Sequence, residues 1–128
     1  MSIDALLDTS VLVDLLCVQV EALRWWQTQA ETVFGIPVLV HMELIDGVAN
    51  AVERRHLKNL LSAYPSIHLT PEDSAWAQQQ HALYKLSHNV GMIDALIAAP
   101  ARRLDVPIYT LHPRHFAPLP DVVAIKPY

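Results

Sequence analysis

Apolar residues along the chain fall into short unbroken runs separated by longer stretches of helical period. Ala5-Leu6-Leu7 stops abruptly at Asp8-Thr9-Ser10, and Val11, Leu12, Leu15 and Leu16 then recur at helical spacing. This predicts a short buried strand that feeds a helix, with Asp8 at the strand's carboxyl end. Val20 to Val33 place Leu23, Trp26, Ala30 and Val33 close to one face, which predicts a second helix ended by Gly35. Ile36 to Val40 is a β-branched run with proline near its start, as an entering strand tolerates. His41 to Ile45 turns helical after it, so that Glu43 is expected to open a helix just past the second strand. Arg55 to Ala63 continues in helix with Leu57, Leu60 and Leu61 inward, until Tyr64-Pro65 stops it.

The second half repeats the pattern. Ile67-His68-Leu69 predicts a brief strand, and Thr70-Pro71-Glu72-Asp73 is a helix start with a threonine cap, proline at the first position and acids in the first turn. Asn89-Val90-Gly91 breaks that helix before Met92 to Ala99 begins the most apolar one. Pro107 to Thr110 and Val122 to Ile125 close the pattern as strands, with a proline-rich turn containing His112 to Phe116 between them. Strands alternating with helices predict an α/β fold of three layers, a central and mostly parallel sheet flanked by helices, with a ligand crevice at the strands' carboxyl ends. No linker, repeat or low-complexity tract interrupts it, and residues 1–128 are read as a single domain.

Composition supports a packed core: 52% of residues are hydrophobic and mean hydropathy is +0.23. No apolar run approaches the roughly 18 residues that cross a bilayer, and Met1-Ser2-Ile3-Asp4 lacks a basic leader, so a cytoplasmic protein is expected. The lone Cys17, set among Leu15, Leu16 and Val18, reads as a small buried hydrophobe rather than a nucleophile. Nine basic against thirteen acidic residues give a formal charge of −4, which excludes bulk electrostatic attraction to nucleic acid. Any such binding must be local, helped by Arg54-Arg55, Lys58, Arg102-Arg103 and Arg114. For Arg102 and Arg103, solvated surface charge is the leading reading.

Three carboxylates occupy positions that a bland protein rarely gives them: Asp8 after a buried strand, Glu43 at a strand-to-helix junction and Asp94 within an apolar helical stretch. An unpaired carboxylate in apolar surroundings costs several kcal/mol by rough estimate, so Asp94 needs a cation, donors or water. Converging at the crevice, the three would form a hard, all-oxygen site suited to Mg²⁺ or Mn²⁺ and to phosphodiester hydrolysis. Each has a plainer reading. Asp8 could cap the following helix, and Glu43 could be a solvated first-turn acid, as Asp46 is expected to be. Taken singly, those readings lead for both; for Asp94 the apolar company of Met92, Ile93, Leu96 and Ile97 favours function.

The runs Leu7-Asp8-Thr9-Ser10-Val11-Leu12-Val13-Asp14, Glu43-Leu44-Ile45-Asp46-Gly47, Ile93 to Ala99 and Tyr109-Thr110-Leu111-His112-Pro113-Arg114-His115-Phe116 stand in an order and spacing that tips the balance. Together they resemble a PIN domain, and more narrowly the VapC-type toxins of bacterial toxin-antitoxin pairs, from Ile3 to Tyr128. The resemblance implies a Mg²⁺- or Mn²⁺-dependent endoribonuclease, dimeric as a rule and held inactive by a cognate antitoxin. It implies Asp8, Glu43 and Asp94 as the catalytic, metal-binding acids. Thr9, Ser10, Thr110, His112 and Arg114 would touch substrate or support the acids.

His112 departs from the pattern, since the family commonly has an aspartate or asparagine there. An imidazole brings no negative charge and prefers softer metals, so weaker metal affinity, a preference for Mn²⁺ over Mg²⁺ or a substrate contact are all open. Pro100 is a second departure, expected to kink or shorten its helix. Two alternatives follow: a PIN-like interaction module that binds protein or RNA without turnover, and a DNA-directed nuclease using the same acids. His112 and His115, three apart, invite a zinc reading, but without paired cysteines surface histidines are favoured. Trp25, Trp26 and Trp76 read as interface residues ahead of base-stacking ones, with Leu15, Val18, Val20, Trp25 and Leu57 as candidates for a homodimer or antitoxin contact.

Overall fold

In the computed structural model, which describes residues 2–128, five strands lie side by side: Ala5–Leu7 (β1), Phe34–Pro37 (β2), Ser66–Ile67 (β3), Ile108–Tyr109 (β4) and Ala124–Ile125 (β5). Their order is β3-β2-β1-β4-β5 and every neighbouring pair is parallel. Six helices make the crossovers and cover the sheet: Thr9–Leu16 (α1), Val20–Gln27 (α2), Val38–Asp46 (α3), Ala51–Leu61 (α4), Pro71–His88 (α5) and Met92–Leu104 (α6). The α/β expectation holds, and the sheet is parallel throughout. No helix among the described residues is long and apolar enough to cross a membrane.

β1 explains the arrangement. All three of its residues are buried, Leu6 and Leu7 completely, as a central parallel strand covered on both faces requires. Leu6 pairs with Gly35 on one side and Ile108 on the other, and Leu7 pairs with Tyr109. The connection from β1 leads toward β2, whereas the later chain crosses to β4 on the opposite side. β1 and β4 therefore flank the point where strand order reverses, and open α/β sheets bind ligands at the carboxyl ends of such strands. Asp8 and Thr110 leave the sheet there together, the Asp8 amide donating to the Tyr109 carbonyl at 3.0 Å.

Several elements begin or end away from their predicted places. Gly35 lies within β2 and stops no helix; a Cβ there would stand 2.8 Å from Ile67 Cγ1, so the bare backbone is what lets β2 and β3 pack. α2 ends earlier, at Gln27. Val38-Leu39-Val40 is helical rather than extended, because Pro37, at φ −57° and ψ 143°, closes the strand and occupies the cap of α3. β-propensity yields to burial, with Val40 fully inside. α4 begins at Ala51, four residues before the expected Arg55, where the Asn50 side chain accepts from the Glu53 amide at 2.9 Å and the Glu53 carboxylate accepts from the Ala49 amide at 2.8 Å. α5 starts as expected with a reciprocal capping box between Thr70 and Asp73. Pro100 does not shorten α6, which continues to Leu104.

The tryptophans are corrected more sharply. Trp25 and Trp26 form an internal aromatic cluster with Phe34, Tyr64, Tyr109 and Tyr128 at centroid distances of 5.0–6.1 Å, and Trp76 is buried. Leu57 and Trp76 belong to the buried core, whereas Trp25 and Trp26 are half-buried against it; Val18 and Val20 remain exposed. Cys17 is exposed rather than buried, because it caps α1 just before Val18 turns through a positive φ of 58°. Arg103 is not a free surface charge either. Its guanidinium donates to both oxygens of the buried Asp73 at 3.0 and 3.1 Å and to the His68 carbonyl, while Arg102 lies 5.3 Å from the centre of the Trp76 ring.

Candidate functional site

Asp8 is where β1 becomes α1. Its backbone is extended, at φ −80° and ψ 159°, and its side chain caps the helix, Oδ1 accepting from the Thr9 amide at 2.8 Å. The capping reading of this residue is thus correct as geometry. The second oxygen points elsewhere: Oδ2 accepts from Thr110 Oγ1 at 2.7 Å and from Ser10 Oγ at 3.3 Å. A carboxylate only 7% exposed is tolerable because these donors replace water. The donors are themselves fixed, since Ser10 Oγ accepts from the Leu111 amide and Thr110 Oγ1 from the His112 amide, each at 3.0 Å. One network therefore ties the end of β4 to the start of α1.

Glu43 does not open α3 but sits in its second half, on the exposed surface. Its Oε1 accepts from Thr9 Oγ1 at 2.7 Å, which draws it to the same helix start that holds Asp8. Thr9 thus links two of the three acids, one through its amide and the other through its hydroxyl.

Asp94 occupies the first turn of α6, three residues past its Gly91 cap, with its side chain partly buried. Burial pushes its carboxyl above the ordinary range. Nearby His115 pulls it back, the charges on Asp8 and Glu43 push it further up, and His112 opposes them. The charges of Asp8 and Glu43 both reach Asp94, and no lysine or arginine is among the groups acting on it. His115 Nδ1 stands 3.6 Å from Asp94 Oδ2, and the His112 ring stacks on His115 with 5.0 Å between centroids. Both histidines are exposed, as the surface reading expects, but the sequence does not show that they flank Asp94; their three-residue spacing across a turn that begins with Pro113 is the available signal.

Arg114 is not brought to the acids. It borders a separate hollow with Phe116, Ala117 and Val122 to Ala124. The donor atoms that do meet are carboxylate and hydroxyl oxygens from the start of α1, from α3 and from the end of β4, a chemistry that fits a hard divalent cation. As placed, no three of the described His, Cys, Asp and Glu side chains close into a ligand set, so the acids are neighbours rather than a formed cage.

Residues 5–115 match the family model of the PIN domain. The chain belongs to the PIN domain family. No curated protein sequence matches it. Among solved structures, this PIN domain is similar to a toxin-antitoxin complex from Klebsiella pneumoniae, with 24% identity, 98% of each chain covered and a TM-score of 0.76. It is also similar to VapBC2 from Rickettsia felis bound to a DNA fragment from its promoter, with 18% identity, 96% of this chain and 98% of that chain covered, and a TM-score of 0.80. A DNA-bound VapBC from Salmonella typhimurium aligns with 19% identity, 96% and 97% coverage and a TM-score of 0.78. At these identities the likeness speaks for the PIN fold.

Proposed function

We propose that this PIN domain is a divalent-metal-dependent endoribonuclease of the VapC toxin type, cleaving single-stranded or looped RNA by attack of water on phosphorus. The observation that carries the reading is the tie of Asp8 and Glu43 through Thr9 at the strand-order reversal, with Asp94 near enough for both to push its carboxyl up. Three acids whose nearby basic groups are the imidazoles of His112 and His115 form a site that asks for a cation, and Mg²⁺ or Mn²⁺ suits their oxygens. Such an ion supplies Lewis acidity and an activated water when bound.

The chain's own residues do the positioning. Thr9, Ser10 and Thr110 hold Asp8 in one orientation, Thr9 holds Glu43, and His115 stands against Asp94. His112 and His115 edge the site from the exposed side, where a phosphate would approach. An antitoxin partner is supported by the neighbouring apolar groove of about 580 Å³, which begins at Thr9 and Glu43 and continues along Val13, Leu16, Val48 and Val52. Val13, Leu16 and Val52 are 43%, 41% and 70% exposed, a surface that a partner segment would cover. A homodimer is proposed as well, with Leu83, Leu86 and Met92 as its exposed apolar residues on and beside α5.

The test is cleavage of a mixed RNA pool by the purified protein with Mg²⁺, Mn²⁺ or EDTA. Metal-dependent cleavage supports the reading. A second reading, a PIN-like module that binds without turnover, draws on the unclosed ligand set and on His112. Binding that persists in EDTA, without cleavage in any metal, would decide for it.

A further inference from the structure

On the far side of α3 from the acids lies a second hollow, of about 450 Å³. Residues two apart on a helix point about 200° from one another, so His41 turns away from the cleft that Glu43 faces. The hollow is walled by His41 and Ile45 of α3, by Arg54, Lys58 and Leu61 of α4, and by Tyr64 beyond it.

Three features of these walls ask for a ligand. His41 Nε2 is buried and has no hydrogen-bond partner, a state that few buried polar atoms keep. Arg54 and Lys58 stand one helical turn apart, and neither joins the ion pairs found among the described residues. In a chain of formal charge −4, two uncommitted cations on one wall reverse the local sign. Beside them in the lining, Ile45, Leu61 and Tyr64 offer an apolar floor. Cations suit a phosphate, and an aromatic ring with aliphatic neighbours suits a base.

We propose that this hollow holds one nucleotide of the RNA strand outside the scissile linkage. Its phosphate lies by Arg54 and Lys58, and its base lies against Tyr64. The proposal rests on the nuclease reading for the identity of the strand. A free inorganic phosphate would satisfy the cations but leave the apolar floor uncovered, which is why a nucleotide is the better occupant.

The test reads binding rather than turnover. A fluorescent uridine oligoribonucleotide of about twelve residues is titrated in EDTA with the wild type, an Arg54→Ala/Lys58→Ala variant and a charge-matched Arg24→Ala/Lys126→Ala control. The first variant is expected to bind about tenfold more weakly and to lower the slope of log affinity against log salt by about 1.4, as two lost phosphate contacts require on a single strand. The control changes affinity less than about twofold, because Arg24 and Lys126 are exposed away from the hollow. Tyr64→Leu, checked for folding by thermal melting, weakens binding and leaves the slope unchanged. Equal affinity of the Arg54/Lys58 variant and the control overturns the proposal. So does a hollow that takes inorganic phosphate, read at the His41 ring resonances, while RNA affinity ignores Arg54 and Lys58. RNA binding through the hollow without cleavage in any metal would contradict the nuclease reading alone; cleavage with indifference to Arg54 and Lys58 would contradict the hollow alone.

Discussion

Thr110 Oγ1 donates to Asp8 Oδ2 at 2.7 Å, joining the ends of β4 and β1 across 102 residues of chain. Thr110 is fully buried and Asp8 nearly so, which makes the bond a fixed strut under the candidate site. Thr110→Val keeps the shape and removes the donor. It is expected to cost about 1–3 kcal/mol of stability by denaturant melting. Cleavage is expected to fall about 10- to 100-fold, as when the partner of a metal-binding carboxylate is lost. Thr110→Ser restores most of both.

Asp94 should trade stability against ion binding. Burial and the charges on Asp8 and Glu43 raise its carboxyl above the ordinary range, so ionised Asp94 opposes folding in metal-free protein near neutrality. Asp94→Asn is expected to raise the melting temperature in EDTA. Saturating Mn²⁺ should stabilise the wild type by about 2.7 kcal/mol at one hundred times its Kd and stabilise the variant far less. Scanning calorimetry with and without the ion checks both halves.

Tyr128 gives an alkaline signature. Its hydroxyl donates to Asp14 Oδ2 at 2.9 Å, and burial, that bond and the charges of Asp14 and Glu21 hold its pKa well above the usual tyrosine value. A folded pKa raised above the unfolded one contributes stability that is complete below about pH 10 and is lost as pH rises toward the folded value. Unfolding free energy should therefore fall above about pH 10, less steeply in Tyr128→Phe. Absorbance titration should find a tyrosine that ionises well above the ordinary range while the protein stays folded, and that is missing from Tyr128→Phe.

Arg103 tests the difference between a structural and an RNA-facing cation. Arg103→Ala leaves Asp73, 1% exposed, without its guanidinium. With the capping box still in place, a loss of about 1–3 kcal/mol is expected by thermal melting. RNA affinity of the folded fraction should not change.

Much of this architecture could be read from the chain because local and global signals agree there. The Leu6-Leu7-Asp8 boundary and the Thr70-Asp73 capping box are cases where propensity, pattern and tertiary place coincide. Val38 to Val40 misled, since a Val-Leu-Val triplet after proline looks extended, and the Pro37 cap with the burial of Val40 makes it helical. Gly35 misled for a related reason: a glycine that admits Ile67 and one that ends a helix look alike without the neighbouring strand. The aromatic cluster gathers Trp25, Phe34, Tyr109 and Tyr128 from distant parts of the chain, so no local period could report it. The three acids were legible as positions. Their ties through Thr9 and the stand of His115 against Asp94 depend on contacts that only the fold creates.

One comparison decides whether Asp8, Glu43 and Asp94 work with a divalent cation to cut RNA. Wild type and Asp94→Asn are incubated with a mixed RNA pool in Mg²⁺, in Mn²⁺ and in EDTA, and cleavage is followed over time. The expected result is cleavage by the wild type in at least one metal, none in EDTA, and a loss of at least about 100-fold in Asp94→Asn. Folded wild type that leaves RNA intact in both metals, or cleavage that survives Asp94→Asn, would contradict it.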